Sequence, residues 1–335
     1  MTLGRMRIGW PAANRDPAAG VGPESSKEPT MTERIEGVTI SHPERVIFAD
    51  AGPGKAGLTK AGLTKARLAR YYQQIAPLML EEAANRPLSL LRLPDGMAGE
   101  RFFQKHPGKG FPKAIRQMQI TESDGEAAPY AYVTDAAGLV AAVQMGTVEF
   151  HIWPARRDRL ERPDRLVLDL DPDEGLGFDA VRSAALSLRG RLLDLGLEPW
   201  AMLTGGKGVH LVVPLRRSLG WDDLKRFARG FAALCAQEEP DRYTVELAKA
   251  SRRGRIFIDW LRNERGSTAV APFSVRARPG APVAAPIGWD ELARISTARA
   301  FGIAAAQERG WAGVTRVQQS LTRPMFEAVE KALAG

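Results

Sequence analysis

The sequence predicts a mixed fold of the α/β or α+β class. Three observations predict it: apolar residues recur at helical spacing in some segments, short apolar or alternating runs occupy others, and the two kinds alternate along the chain. At 335 residues the chain has room for one large domain or two closely packed ones. With 44% hydrophobic and 26% charged residues it is not wholly disordered, collagen-like or coiled-coil.

Residues 1–36 are rich in Pro, Gly, Ala, Ser and charge without periodicity, and they read as a disordered lead-in, with ordered sequence starting at Val38–Ile40. Residues 51–65 hold three near-copies of Ala-Gly-x-x-Lys, ending at Lys55, Lys60 and Lys65. Solenoid repeats run from about 20 residues, so these copies predict a loop lengthened by duplication. Thr64 is placed to cap a helix reaching about Ala84, with Leu68, Tyr71, Tyr72, Ile75, Leu78 and Met79 on its apolar side. Pro87–Leu93 and Arg101–Gln104 read as strands, Phe111–Arg116 as a basic loop, Leu139–Met145 as helix and Val148–Trp153 as extended. The second half predicts strands at Arg165–Leu170, Trp200–Leu203, Val209–Val213, Arg255–Trp260 and Thr268–Val275. Helices are predicted at Phe178–Leu195, Trp221–Ala236, Trp289–Glu308 and Val314–Leu333.

A net charge of +8 suggests a polyanionic partner, nucleic acid or acidic lipid. The single Cys235 excludes an intramolecular disulfide and a thiolate zinc cluster. Apolar stretches such as Gly138–Met145 fall far short of the roughly 20 residues of a membrane helix, and the N-terminus has no apolar signal core. A soluble, cytoplasmic protein without a membrane partner is expected.

The most informative segment is Leu166-Val167-Leu168-Asp169-Leu170-Asp171-Pro172. Alternation along a strand projects Asp169 and Asp171 from one face. Two close carboxylates on an apolar strand repel and lose solvation, a cost met by raised pKa values or by a divalent cation. The same pattern serves nucleotidyl transfer, haloacid-type phosphatases and glycosyltransferases, and also a plain solvated strand end. Asp259, closing the apolar strand Ile256-Phe257-Ile258, is the third carboxylate a two-metal site requires; pairing with Arg262 or Arg265 is the structural alternative.

Leu203-Thr204-Gly205-Gly206-Lys207-Gly208-Val209-His210 reads as strand, glycine turn and strand, suited to phosphate through backbone N–H groups, the Thr204 hydroxyl and the Lys207 charge. It lacks Walker spacing. His210 alternates with Val209 and Leu211 and can face the same anion, whereas His151 sits on a strand with an apolar opposite face. Arg101-Phe102-Phe103-Gln104-Lys105-His106 interleaves rings with cations, as a nucleic-acid groove needs for base stacking and phosphate neutralisation.

Together these motifs resemble the polymerase domain of bacterial ligase D, in the archaeo-eukaryotic primase superfamily. The resemblance is carried by His-Pro-Glu-Arg-Val at 42–46, Leu-Thr-Lys at 63–65, Phe-Phe-Gln-Lys-His at 102–106, Glu-Phe-His at 149–151, Asp-Leu-Asp-Pro at 169–172, Thr-Gly-Gly-Lys-Gly-Val-His at 204–210 and Phe-Ile-Asp at 257–259. It covers about residues 35–310. It implies an archaeo-eukaryotic primase-like fold, with an RRM-like catalytic sheet (151–285) packed on a smaller N-terminal module (37–150), closing helices (286–310) and a C-terminal helix (311–335). By the same resemblance Asp169, Asp171 and Asp259 bind two divalent ions, Mn²⁺ or Mg²⁺, and are the catalytic residues. His151, Thr204, Gly205, Gly206, Lys207, His210 and Arg276 contact the nucleotide, with His151 near its ribose. Phe102 and Phe103 lie against the template, Lys65 and Lys105 hold the 5′-phosphate and strand near a gap, and Arg252 belongs to a loop ahead of the third acid; between Lys60 and Lys65 of the repeated loop, Lys65 is preferred for the phosphate because it abuts the helix. Thr204 stands where Ser is more usual and keeps the hydroxyl.

The implied function is template-directed nucleotidyl transfer onto DNA ends or gaps from NTPs or dNTPs in non-homologous end joining, in the bacterial cytoplasm, with Ku and a DNA ligase as partners. No Lys-x-Asp-Gly adenylation motif occurs, so the sequence reads as either a standalone relative or an excised domain, with sealing expected outside these residues. A non-catalytic end-bridging module would bind DNA without any of the three acids, and a two-metal phosphoesterase or nuclease would need no triphosphate turn.

Overall fold

The computed structural model describes residues 31–49 and 62–335. The first two copies of the Ala-Gly-x-x-Lys unit, Lys60 included, and the lead-in before residue 31 lie outside the described residues. Chain order begins with a hairpin, β1 (Thr32–Ile35) and β2 (Val38–Ser41), closed by Glu36 and Gly37 at φ 49° and 73°. Order therefore starts several residues before Val38; β1 alternates polar Thr32 and Arg34 with Glu33 and Ile35, and only Ile35 is buried, so it offers almost no apolar signal. The short pair β3 (Val46–Phe48) and β4 (Leu63–Thr64) leads into α1 (Lys65–Ala83), capped as expected by the Thr64 hydroxyl, which accepts from the Arg67 N–H.

The N-terminal sheet follows: β5 (Leu88–Arg92), β6 (Phe102–Gln104), β7 (Arg116–Thr121), β8 (Ala127–Tyr132), then α2 (Ala136–Gln144) and β9 (Thr147–Ile152). The β7–β8 hairpin has no counterpart among the predicted strands. Its signal is present in the Met118/Ile120 alternation and the Asp124-Gly125 turn, but the strand is mostly exposed and rich in polar residues.

The second large sheet is built from β10 (Arg165–Pro172), β11 (Trp200–Leu203), β12 (Val209–Pro214), β13 (Tyr243–Thr244) and β14 (Ile256–Asp259), with α3 (Phe178–Asp194) and α4 (Trp221–Glu238) between them. β15 (Ala269–Val270) joins the N-terminal sheet beside β9, and β16 (Ala285–Ile287) closes the second sheet, whose order is β13-β14-β10-β12-β11-β16. The strand predicted over Thr268–Val275 is only two residues long because Pro272 removes a ladder donor and Phe273 turns to φ 66°.

Residues 289–309 form two short helices, α5 (Trp289–Leu292) and α6 (Ile303–Arg309), instead of one long one. The carbonyls of Ala298 and Phe301 accept from Gly205 and Val283, so tertiary bonding takes the backbone that a helix would use. The last helix, α7 (Arg323–Ala334), starts well after Val314: Pro324 sits in its first turn, and Gln319 upstream exchanges backbone bonds with Pro214 and Arg216.

Leu166, Leu168 and Leu170 of β10 pack with Val181, Leu188, Phe227 and Phe231 in a core beneath α3 and α4. Val167 packs on the opposite face with Trp200, Met202, Val212, Ala269 and Val270. Period-2 alternation then places Asp169 and Asp171 on that second face, above the last apolar layer.

Candidate active site

Strand register sets the acid centre. Asp169 is the partner of His210 on β12 and of Asp259 on β14, so three chemically active side chains share one cross-strand row, while Asp171 lies one step on, opposite Phe257. His210 Nε2 is 3.3 Å from Asp169 Oδ1. Arg262 bridges the two facing acids, at 3.3 Å from Asp169 Oδ2 and 3.0 Å from Asp259 Oδ2. Arg252 lies 3.3 Å from Asp171 Oδ2 and stacks 3.8 Å over the Phe257 ring.

The three carboxyls titrate differently. Burial pushes Asp169 up, but His210 and Arg262 outweigh it and hold the group well below the usual range. Burial and the Asp169 charge raise Asp171; burial, against the pull of Arg262, raises Asp259. The centre is thus short of positive charge even with two arginines in place. Among the described residues no three carboxylate or imidazole groups converge to share an ion as they stand, and a guanidinium lies between two of them. The donor set itself, clustered carboxylate oxygens with no thiolate, suits a hard divalent cation.

The glycine turn closes the other side of a cleft of ≈ 230 Å³ lined by His151, Asp169, Asp171, Thr204, Lys207 and Arg276 among others. Gly208 sits so close to β10 that a Cβ would come 2.2 Å from the Leu170 carbonyl oxygen. The turn is internally braced: Thr204 Oγ1 donates to the Gly208 carbonyl and accepts from the Gly206 N–H, and Gly205, at φ 64°, donates to the Ala298 carbonyl. Two of the N–H groups read as anion donors are therefore engaged within the protein, and cations carry the positive character. Lys207 is half exposed, 3.7 Å from Glu174; Arg276 donates to the Thr204 carbonyl; Arg299 holds the Gly206 carbonyl at 3.0 Å. Arg278 lines the cleft too, its pKa lowered by burial and by Arg276 and Arg299.

His151 and Arg276 meet on one buried carboxylate, Glu149, at 2.8 and 3.0 Å. Phe103, 59% exposed, sets its ring edge-on to His151 with centroids 5.1 Å apart, and Arg92 lies 5.3 Å over the Phe102 ring. Lys105 is exposed just beyond. Lys65 is apart from the cleft, buried at the start of α1 and bonded to the Ser41 carbonyl at 3.0 Å. Burial chiefly, and neighbouring Arg45 next, lower its pKa to about 8.

The fold thus gathers around one opening nearly all the nucleotide and metal residues predicted from sequence. Arg262, weighed from sequence as a pairing partner of Asp259, does pair with it, while Arg265 pairs with Glu161. Glu149, Arg278 and Arg299 were given no functional role from sequence; only Glu149, two residues before His151 on the same strand face, had a pattern that could have found it.

A family model described as LigD, primase-polymerase domain, matches residues 64–312. The chain is 40% identical over 273 residues to the multifunctional non-homologous end joining protein LigD of Pseudomonas aeruginosa, covering 82% of this chain and 31% of that protein. It is 32% identical over 270 residues to the LigD protein of Mycolicibacterium smegmatis, covering 80% and 34%. It spans about a third of the length of these relatives. The polymerase domain of Mycobacterium tuberculosis ligase D, solved in complex with DNA, superposes with a TM-score of 0.73 at 26% identity, covering 87% of this chain and 98% of that one. The family match over the segment that builds both sheets, and the acid centre beside its cationic turn, agree: the chain belongs to the LigD primase-polymerase domain family, and with it to the metal-dependent, template-directed nucleotidyltransferases.

Proposed function

We propose that this chain extends the 3′-hydroxyl of a DNA end or gap bearing a 5′-phosphate, taking NTPs or dNTPs, as the polymerase step of non-homologous end joining. The observation that carries the reading is the cross-strand row of Asp259, Asp169 and His210 beside the Thr204–Gly208 turn, which puts an acid centre and a triphosphate cradle in one cleft. Asp169, Asp171 and Asp259 would hold two divalent ions, Mn²⁺ or Mg²⁺, which supply charge neutralisation and lower the pKa of the attacking hydroxyl.

The side chains do the positioning. Lys207, Arg276 and the Thr204 hydroxyl receive the triphosphate, with Gly205 and Gly206 shaping the turn and Arg278 adding charge. His210 fixes the Asp169 carboxylate, and His151 faces the ribose. Phe102 and Phe103 offer exposed rings on which template bases stack, with Lys105 beside them. Lys65 with Arg45 forms the cationic pair for the 5′-phosphate, and Arg252 relays the segment before β14 to Asp171. Most of the acceleration then comes from alignment and electrostatics. Ku and a ligase are the partners that such a repair step requires, in the bacterial cytoplasm. Among the described residues no helix is long and apolar enough to cross a membrane.

The test is primer extension on gapped, 5′-phosphorylated DNA with Mn²⁺ or Mg²⁺. Template-matched addition by the wild type and none by Asp169→Ala is expected; extension retained by that variant overturns the assignment of the acid centre.

A further inference from the structure

We propose that Glu149 is a positioning residue that sets sugar selectivity: it fixes His151 in the tautomer whose Nδ1 accepts a hydrogen bond from a ribose 2′-hydroxyl, and it fastens Arg276 in the same stroke. The inference rests on the nucleotide reading of the cleft given above.

Glu149 is 3% exposed, yet it takes three donors. Its Oε2 lies 2.8 Å from His151 Nε2 and accepts from Arg276 Nε at 3.0 Å; its Oε1 accepts from the Ala277 N–H at 2.7 Å. A carboxylate so surrounded is ionised and can only accept. The proton at this contact must therefore sit on His151 Nε2, which leaves the Nδ1 of a neutral ring as a lone-pair acceptor. Nδ1 makes no hydrogen bond to the described residues, and the ring lines the cleft. A hydroxyl there can donate to it, and a 2′-deoxy sugar cannot. Phe103, edge-on to the same ring, limits its rotation from the outer side.

The geometry also says what an amide would do at this position. With its oxygen toward His151 and Arg276, a Gln presents N–H₂ to the Ala277 N–H. Turned over, it keeps Ala277 but offers a donor to His151, which then needs its proton on Nδ1 and loses the acceptor in the cleft. No orientation satisfies all three donors.

Two measurements test the proposal. In wild-type protein carrying ¹⁵N-labelled histidine, two-bond nitrogen–proton correlation at neutral pH should assign the His151 resonance, identified by its loss in His151→Phe, to the Nε2–H tautomer. An Nδ1–H tautomer overturns the proposal whether or not the protein extends DNA. In steady-state extension, Glu149→Gln should lower the ratio of kcat/KM for an NTP over the matching dNTP by about three- to tenfold, the worth of one hydrogen bond, with KM rising for both nucleotides as Arg276 loosens. The same nitrogen–proton correlation on Glu149→Gln says which way the amide lies: an unchanged ratio in a folded variant whose His151 has moved to the Nδ1–H tautomer overturns the selectivity role, and a ratio that follows the tautomer supports it. Absence of any extension by the wild type instead strikes the polymerase reading, and the tautomer measurement still decides the role of Glu149.

Discussion

Asp169 and Asp259 sit opposite one another across β10 and β14, and the Arg262 guanidinium bridges them at 3.3 and 3.0 Å. A cation already stands between the two acids, so a divalent ion has to compete with it. Adding Mn²⁺ or Mg²⁺ should still raise Tm, by the equivalent of about 2.7 kcal/mol at a hundredfold excess over Kd. Asp169→Asn and Asp259→Asn should each abolish both the rise and extension. Arg262→Gln should lower Tm in chelator, because it takes the guanidinium from buried Asp259 and leaves Asp169 with His210 alone, and should keep the metal-induced rise. A full metal-induced rise in both Asn variants would remove these residues from the metal site.

Glu149 also predicts how stability responds to acid. Burial pushes its carboxyl up, but the His151 hydrogen bond, Arg276 and the Ala277 N–H bring it down to about 2 from 4.5. A carboxyl lowered on folding contributes stability that is fully present above its unfolded pKa and is lost as pH falls toward the folded one. The contribution here is about 3 kcal/mol, lost between about pH 4.5 and 2. Denaturant melts across this window should show a shallower acid dependence in Glu149→Gln than in the wild type. Asp164 and Glu82, held low by Arg86 and Arg165 despite burial, and Asp169, held low by His210 and Arg262, keep a residual slope in the variant. Identical slopes would contradict the assignment.

Legibility in the sequence followed burial and period. β10, β12 and α1 were readable because their apolar residues alternate or recur with the period of the element, and Asp169 and Asp171 stood out against that background. Asp259 could be suspected only as an acid closing an apolar strand; that it faces Asp169 is a matter of long-range register, which no local pattern encodes. Residues 293–302 carry helix-forming residues but brace the glycine turn through Ala298 and Arg299, a tertiary override of propensity. Arg262 could be expected beside Asp259, three residues earlier, but not beside Asp169; Arg278 and Arg299 were hidden among many arginines, since a cation's role depends on what it reaches.

If Lys65 holds the 5′-phosphate as proposed, the preference for that phosphate should depend on pH. With its pKa lowered to about 8, the ammonium loses charge as pH rises through that value. Binding of 5′-phosphorylated gapped DNA relative to its 5′-hydroxyl counterpart should be strongest near neutrality and decline above pH 8. Lys65→Arg should hold the preference at pH 9, and Lys65→Ala should lack it throughout. A preference unaffected by Lys65→Ala places the phosphate elsewhere.

Phe103 separates binding from folding. Its exposed ring touches His151 only by an edge, so Phe103→Ala should change stability by about 0.5 kcal/mol or less. Affinity for gapped DNA should fall about tenfold, because a stacked base is worth roughly 1–3 kcal/mol. Fluorescence anisotropy and a melting curve on the same sample read both quantities; unchanged affinity would take Phe103 out of the DNA surface.

Gly208 ties the glycine turn to the acid strand by contact rather than by chemistry. A Cβ there would come 2.2 Å from the carbonyl oxygen of Leu170, the residue between Asp169 and Asp171, and 3.6 Å from Asp169 Oδ1. The obstruction is backbone in a paired strand, which no rotamer change relieves, so Gly208→Ala must displace β12 from β10. Overpacking of this kind costs about 1–3 kcal/mol. The effect on extension should be larger than on stability, because a shift of about 1 Å at reacting groups can cost 100-fold in rate. Gly175→Ala, where nothing lies within 4 Å of the added carbon, is the matched control and should leave Tm and extension unchanged. Assayed well below its own melting point, Gly208→Ala should fold, bind DNA and extend poorly; wild-type extension by this variant would show that the spacing between turn and acid strand is not what sets the geometry of the cleft.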